Sequence, residues 1–117
     1  MNTIYHLSTC DTCKRIIKEL DLPNYFILKD IKTESITSEQ LEEMRALTDS
    51  YESLFSKRAR LYKELGLKEM SLSDEDYKTY ILEHYTFLKR PVILHNGNIF
   101  IGNSKKVLEA AKQAIHE

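Results

Sequence analysis

Thr3-Ile4-Tyr5-His6-Leu7-Ser8-Thr9-Cys10-Asp11-Thr12-Cys13 is the stretch from which the rest of the chain can be read. It passes from an apolar run, Thr3 to Leu7, through the short turn Ser8-Thr9, into a run with helical spacing. Cys13, Ile16, Ile17 and Leu20 share one face of that helix, from Asp11 to about Leu20. The only two cysteines of the 117 residues are Cys10 and Cys13. A C-x-x-C pair where a strand gives way to a helix is a redox signal. The helix N-terminus offers unpaired N–H groups and partial positive charge, which favour a thiolate. Cys10, at the cap, is therefore the candidate nucleophile. Cys13, one turn inside, is placed to resolve a mixed disulfide.

Working outward, Asp21-Leu22-Pro23-Asn24 ends the first helix. Tyr25 to Leu28 reads as a second apolar strand, leaving at Lys29-Asp30, so the start of the chain is strand, helix, strand with short links. The middle is helical. Thr37 with Gln40 forms a capping-box pattern ahead of the stripe Leu41, Met44 and Leu47. Asp49 to Phe55 reads as irregular or a short turn of helix. Arg58 to Leu65 reads as a helix stopped by Gly66. Ser73 with Asp74, Glu75 and Asp76 starts another, carrying Tyr77, Tyr80, Ile81 and His84 at helical spacing. The end returns to strand period. Val92 to Leu94 and Ile99 to Ile101 flank Asn96-Gly97, a two-residue hairpin signal. Ser104 then caps a last helix lined by Val107, Leu108, Ala111, Ala114 and Ile115. The order β-α-β, helical block, β-β-α predicts an α/β fold: a four-stranded mixed sheet flanked by helices. This is a thioredoxin-like arrangement in one domain, 1–117, with an all-helical insertion at about 37–86.

Composition narrows the class. Hydrophobic content of 42% and charged content of 30% are those of an ordinary globular protein. Seventeen Lys plus Arg against 18 Asp plus Glu give no overall basic charge for direct nucleic-acid or anionic-membrane binding. Met1 to Cys10 has no basic, apolar leader pattern, and no run reaches membrane-spanning length. The expected compartment is the cytoplasm, where a cysteine pair is catalytic or regulatory rather than structural. Two competing readings of the pair are simple packing of buried thiols and half of a zinc site. Zinc requires about four ligands. No further cysteine exists, and His84, His95 and His116 show no paired spacing, so no metal is expected. His6, four residues before Cys10, could lower the thiol pKa as an imidazolium or be an ordinary satisfied histidine. Asp11 opposes a thiolate. Arg58, Arg60 and Arg90 are either anion clamps or solvated charges. Arg90 precedes Pro91, so this bond is a candidate cis peptide.

These residues together resemble the arsenate reductase ArsC/Spx family over nearly the whole chain. The matching pieces are Tyr5-His6 with Cys10, Cys10-Asp11-Thr12-Cys13-Lys14-Arg15, Arg58 to Leu67, Leu88-Lys89-Arg90-Pro91-Val92 and Ile101-Gly102-Asn103. The resemblance implies a thioredoxin-like fold with a helical insertion. It implies a thiol-dependent reductase in which Cys10 attacks arsenate or a related small oxyanion or thiol substrate. Cys13, or glutathione with glutaredoxin, would then resolve the intermediate. His6 would tune Cys10, and Arg58, Arg90 and Thr12 would contact substrate. No bound cofactor is implied; glutathione is the candidate reductant, and glutaredoxin or thioredoxin the candidate redox partner. The family pattern has Gly and Ser where this chain has Asp11 and Cys13, and an arginine where it has Asn103. Each lost charge-assisted contact to an oxyanion is worth about 1.5–3 kcal/mol, so weaker arsenate binding is expected. Cys-Asp-Thr resembles the YffB-type branch. C-x-x-C with a basic residue after it resembles the Spx branch, regulators that bind the RNA polymerase alpha subunit and sense disulfide stress. Spx proteins usually extend further at the C-terminus than Glu117, which weighs toward the enzyme.

Overall fold

The computed structural model describes residues 2–117, and its contacts divide the chain into two compact units. The first comprises residues up to Glu34 together with Arg90–Glu117; the second is Ser35–Lys89.

The first unit carries the sheet. Its strands are β1 (Thr3–His6), β2 (Ile27–Asp30), β3 (Val92–His95) and β4 (Asn98–Ile101), in the order β2-β1-β3-β4. β1 runs parallel to β2 and antiparallel to β3, and β3 and β4 form an antiparallel hairpin. Helix α1 (Asp11–Leu20) connects the parallel pair, and a C-terminal helix, Lys105–Ile115, follows β4. Ile4 and Ile93 face each other in register, and both are fully buried. With Ile16 and Leu20 of α1, Phe26, and Ala111 and Ile115 of the last helix, they form one apolar cluster. Each such large side chain removed from water contributes roughly 1.5–3 kcal/mol. That cluster packs α1, whose N-cap is Cys10, into the core of the first unit.

The hairpin turn follows its residues. Asn96 (φ 47°) and Gly97 (φ 83°) are both left-handed, as a type I′ turn requires. His95 and Asn98 close it in register. The Ser104 hydroxyl accepts the Val107 N–H at 3.3 Å and caps the last helix.

β2 departs from expectation. It begins two residues later than the apolar run, and Ile27 and Leu28 are 51% and 49% exposed. The cause is its place at the sheet edge, paired only with β1. Phe26, just before the strand, takes the buried position instead and stacks on His95 with ring centroids 5.7 Å apart. The pairing runs on through Lys29 and Asp30, so Asp30 stands opposite His6.

The second unit holds α2 (Ser38–Ala46), α3 (Arg60–Glu64), α4 (Asp74–Glu83) and short 3-10 turns at Glu52–Leu54, Leu67–Glu69 and Tyr85–Phe87. The C-terminal helix of the first unit is therefore α5. Both expected caps form: Thr37 with Gln40, and Ser73 with Asp76, each reciprocal. Leu41 and Met44 are buried, whereas Leu47 is the exposed C-cap of α2 rather than part of its apolar stripe. α3 is shorter than the expected Arg58 to Leu65. Lys57, drawn to Glu52 at 2.6 Å, and Arg58 remain in a turn with no capping side chain. Gly66 at φ 67° ends the segment as anticipated. Asp74 is an organiser: its carboxylate accepts the N–H groups of Tyr51 and Glu52, each at 3.1 Å, and pairs with Arg45 at 3.8 Å. Phe55 packs on Phe87 and Tyr77 at centroid distances of 4.8 and 4.9 Å. Among the described residues no helix is long and apolar enough to cross a membrane.

Candidate functional site

The loop Leu7 to Cys10 closes as a turn, with the Cys10 N–H donating to the Leu7 carbonyl at 3.0 Å. Cys10 is the N-cap of α1, in extended conformation (φ −94°, ψ 114°), and its carbonyl accepts the Lys14 N–H at 3.1 Å. This is how an N-cap residue enters a helix without belonging to it. The first-turn amides consequently point toward the cap side chain.

Both cysteines are free thiols, Cys10 partly exposed and Cys13 only 1% exposed. Their acidities are pushed apart. Partial burial raises the Cys10 thiol, but the Cys13 amide, the Cys13 thiol, the Thr12 amide and the Arg90 charge outweigh it, so its pKa lies below the ordinary 9.0. No hydrogen bond of full capping geometry is formed by the side chain; the stabilisation is that of nearby donors awaiting an anion. Burial dominates at Cys13 and pushes its thiol up to about 11, against the opposing Leu7 amide; the Cys10 thiol adds to the rise. One thiol is thus poised to ionise and its neighbour to keep its proton.

The structure brings Cys10, Cys13, Thr12 and Arg90 together. Thr12 acts through its backbone N–H, and Arg90 is the positive charge that reaches both sulfurs. The Arg90–Pro91 peptide is cis, and the Pro91 carbonyl accepts the Gly102 N–H at 2.9 Å. His6 ends β1, half-buried, with its carbonyl accepting the Ile31 N–H at 2.9 Å. Asp11 opens α1 with its side chain exposed. Arg58 is exposed in the turn before α3, in the second unit. Asn103 is exposed after β4. Among the described residues no group of three or more His, Cys, Asp or Glu could hold a metal ion.

One participant escaped sequence reading. The Asp30 Oδ1 accepts the Ser8 N–H at 3.1 Å, across 22 residues of chain, and so grips the loop that presents Cys10. The signal available was only that an acid follows the second apolar run. Its meaning depended on the true register of β2.

A cysteine pair at the N-terminus of the first helix of this four-stranded mixed sheet defines a thioredoxin-like fold with a C-x-x-C site. The family model described as "ArsC family" matches residues 5–111, and the chain belongs to that family. Relatives include the global transcriptional regulator Spx of Bacillus subtilis, 24% identical over 106 residues, covering 87% of this chain and 79% of that protein. The global transcriptional regulator Spx 2 of Bacillus cereus is 27% identical over 104 residues, with the same coverage. Among solved structures, the YFFB protein aligns with a TM-score of 0.78 at 20% identity, covering 95% of this chain and 98% of that one. An arsenate reductase from Vibrio cholerae aligns at 0.75 and 24% identity, covering 92% and 95%. These two likenesses are of fold.

Proposed function

We propose that the protein is a cytoplasmic thiol-redox enzyme of arsenate reductase type, with Cys10 as nucleophile and Cys13 as resolving thiol. The observation that carries this reading is the placement of two free thiols at one helix N-terminus, Cys10 partly exposed at the N-cap and Cys13 buried one turn inside; the first-turn amides and Arg90 lower the Cys10 pKa and burial raises that of Cys13. In the oxyanion form, the Cys10 thiolate attacks As(V), a sulfur–arsenic bond forms and an arsenic–oxygen bond breaks, the hydroxyl leaving as water with the proton that the Cys10 thiol gave up on ionising. The Cys13 sulfur then attacks the Cys10 sulfur and its proton passes to the departing group. The sulfur–sulfur bond forms, the sulfur–arsenic bond breaks, and its electron pair stays on arsenic as As(III). Two thiols lose the two electrons that arsenic gains. An external thiol, glutathione with glutaredoxin or thioredoxin, returns the disulfide to the dithiol. Arg90 stabilises the anionic group and the Thr12 amide contributes a donor. His6 and Arg58 enter this reading through the family resemblance alone.

Asp11 and Asn103 disfavour a multiply charged oxyanion, so slow arsenate turnover is the expectation. The test uses reduced protein, glutathione, glutaredoxin and arsenate. Arsenite that forms with the native chain and disappears with Cys10→Ser supports the reading. Absence of arsenite with Cys10 intact and reduced refutes its oxyanion form.

A second reading is favoured by the relatives named as global transcriptional regulators. In it the Cys10–Cys13 pair is a sensor, and one redox form binds the RNA polymerase alpha subunit. A pulldown against the alpha C-terminal domain in dithiol and disulfide states decides; no binding in either state removes it.

A further inference from the structure

Asp30 ends β2, and its side chain ties three segments together. Oδ1 accepts the N–H of Ser8 at 3.1 Å and the N–H of Lys32 at 3.1 Å. Oδ2 accepts the Thr33 hydroxyl at 3.3 Å. The Asp30 carbonyl is engaged as well, by the Glu34 N–H at 2.9 Å. Ser8 lies inside the Leu7–Cys10 turn, two residues before the thiol. The loop is therefore held at Leu7 through the turn, and at Ser8 through Asp30. A carboxylate accepting several N–H groups is held ionised, in keeping with an Asp30 pKa lowered to about 2, chiefly by the Ser8 hydroxyl and amide.

We propose that Asp30 is a positioning residue for Cys10: its carboxylate clamps the β1–α1 loop onto the end of β2 and so aims the sulfur at the amides of α1. The proposal rests on Cys10 being the nucleophile. A direct charge effect has the opposite sign. A carboxylate near a thiolate raises the thiol pKa, so removing it would make Cys10 more acidic. Releasing the loop withdraws the sulfur from its donors and makes Cys10 less acidic. The two outcomes separate the roles.

The experiment is the pH profile of Cys10 alkylation by iodoacetamide, resolved by mass spectrometry from Cys13, in the full chain. Native protein, Asp30→Ala and Asp30→Asn are compared after circular dichroism shows them folded. Asp30→Ala should move the profile to higher pH. For every pH unit that the profile moves, the thiolate fraction below the pKa falls about tenfold while intrinsic nucleophilicity rises. The net rate at neutral pH then falls about threefold per pH unit. Asp30→Asn keeps an oxygen able to accept the Ser8 and Lys32 amides and should recover most of the native profile. An Asp30→Ala profile unchanged, or moved to lower pH, overturns the clamp. A native Cys10 that titrates at the ordinary thiol value would instead refute the nucleophile reading itself. A second measurement stands if Asp30→Ala fails to fold. In the native chain the Ser8 amide resonance should titrate with Asp30, with its inflection at about 2. A Ser8 amide blind to that titration overturns the proposal. His6 stands opposite Asp30, Lys29 and Lys32 flank it, and Lys29 pairs with Glu34 at 3.6 Å. An inflection in the histidine or lysine range is therefore assigned to those groups, and only the acid inflection reports Asp30.

Discussion

Replacing Cys13 by alanine removes one group from the set that makes Cys10 acidic and leaves the others in place. The Cys13 and Thr12 amides and the Arg90 charge remain; the Cys13 S–H is lost. Hydrogen bonds to charged acceptors are worth about 1.5–3 kcal/mol. A thiol is a weak donor, so the loss here is smaller, about 1 kcal/mol, or roughly half to one pKa unit upward. Thiolate fraction and nucleophilicity then combine to slow Cys10 alkylation at neutral pH by about two- to threefold. Cys13→Ser, which restores a better donor, should return the Cys10 profile to its native position or move it to lower pH. The pH profile of iodoacetamide alkylation measures both variants. A Cys13→Ala profile identical to the native one, or moved to lower pH, refutes the account of Cys13 as a donor. The same substitution has a second consequence, in alkali. The folded state keeps the Cys13 proton up to about 11, while the unfolded chain releases it near 9.0. Stability from this thiol is therefore full below pH 9 and declines as pH rises toward 11. A pKa difference of that size corresponds to about 2–3 kcal/mol at most. Urea titrations should show that decline in the native chain and lose it in Cys13→Ala.

Two further substitutions test the scaffold. Asp74→Ala strands the Tyr51 and Glu52 amides and the Arg45 partner in the second unit. Thermal unfolding should show a loss of about 1–3 kcal/mol, and Asp74→Asn should recover part of it. Gly97→Ala forces a β-carbon into the left-handed region at φ 83°, where no neighbouring atom obstructs it. The expected loss is about 1 kcal/mol, read as a fall in melting temperature of a few degrees, with the C-x-x-C reactivity unchanged.

Local signals carried most of the fold. Asn96-Gly97, Thr37 with Gln40, and Ser73 with Asp76 each satisfy their own backbone within a few residues, so their meaning was complete in the sequence. The helix at Cys10 was legible for the same reason, since a cap and its first turn are adjacent in the chain. β2 was misplaced because apolar runs do not say whether a strand is central or at an edge. Tyr25 to Leu28 looks like core, yet it yields one core residue, Phe26, and an exposed pair, Ile27 and Leu28. Asp30 was missed as a consequence, because its link to Ser8 exists only once β1 and β2 are in register. α3 starts at Arg60 rather than Arg58, after an extended Ala59 (φ −60°, ψ 138°) that helical spacing does not reveal. Arg90 was singled out by its neighbour Pro91 and a family likeness. Its influence on both sulfurs is a property of the folded first unit.

The central claim is that one helix N-terminus holds two thiols of opposite character, and site-resolved alkylation of the reduced native chain from about pH 5 to about pH 11 tests it most directly. The account predicts that Cys10 reacts first, with an inflection below 9.0, and that Cys13 stays protected until about pH 11 or until the chain unfolds. Equal reactivity of the two cysteines, or a Cys10 inflection at or above 9.0, would contradict it.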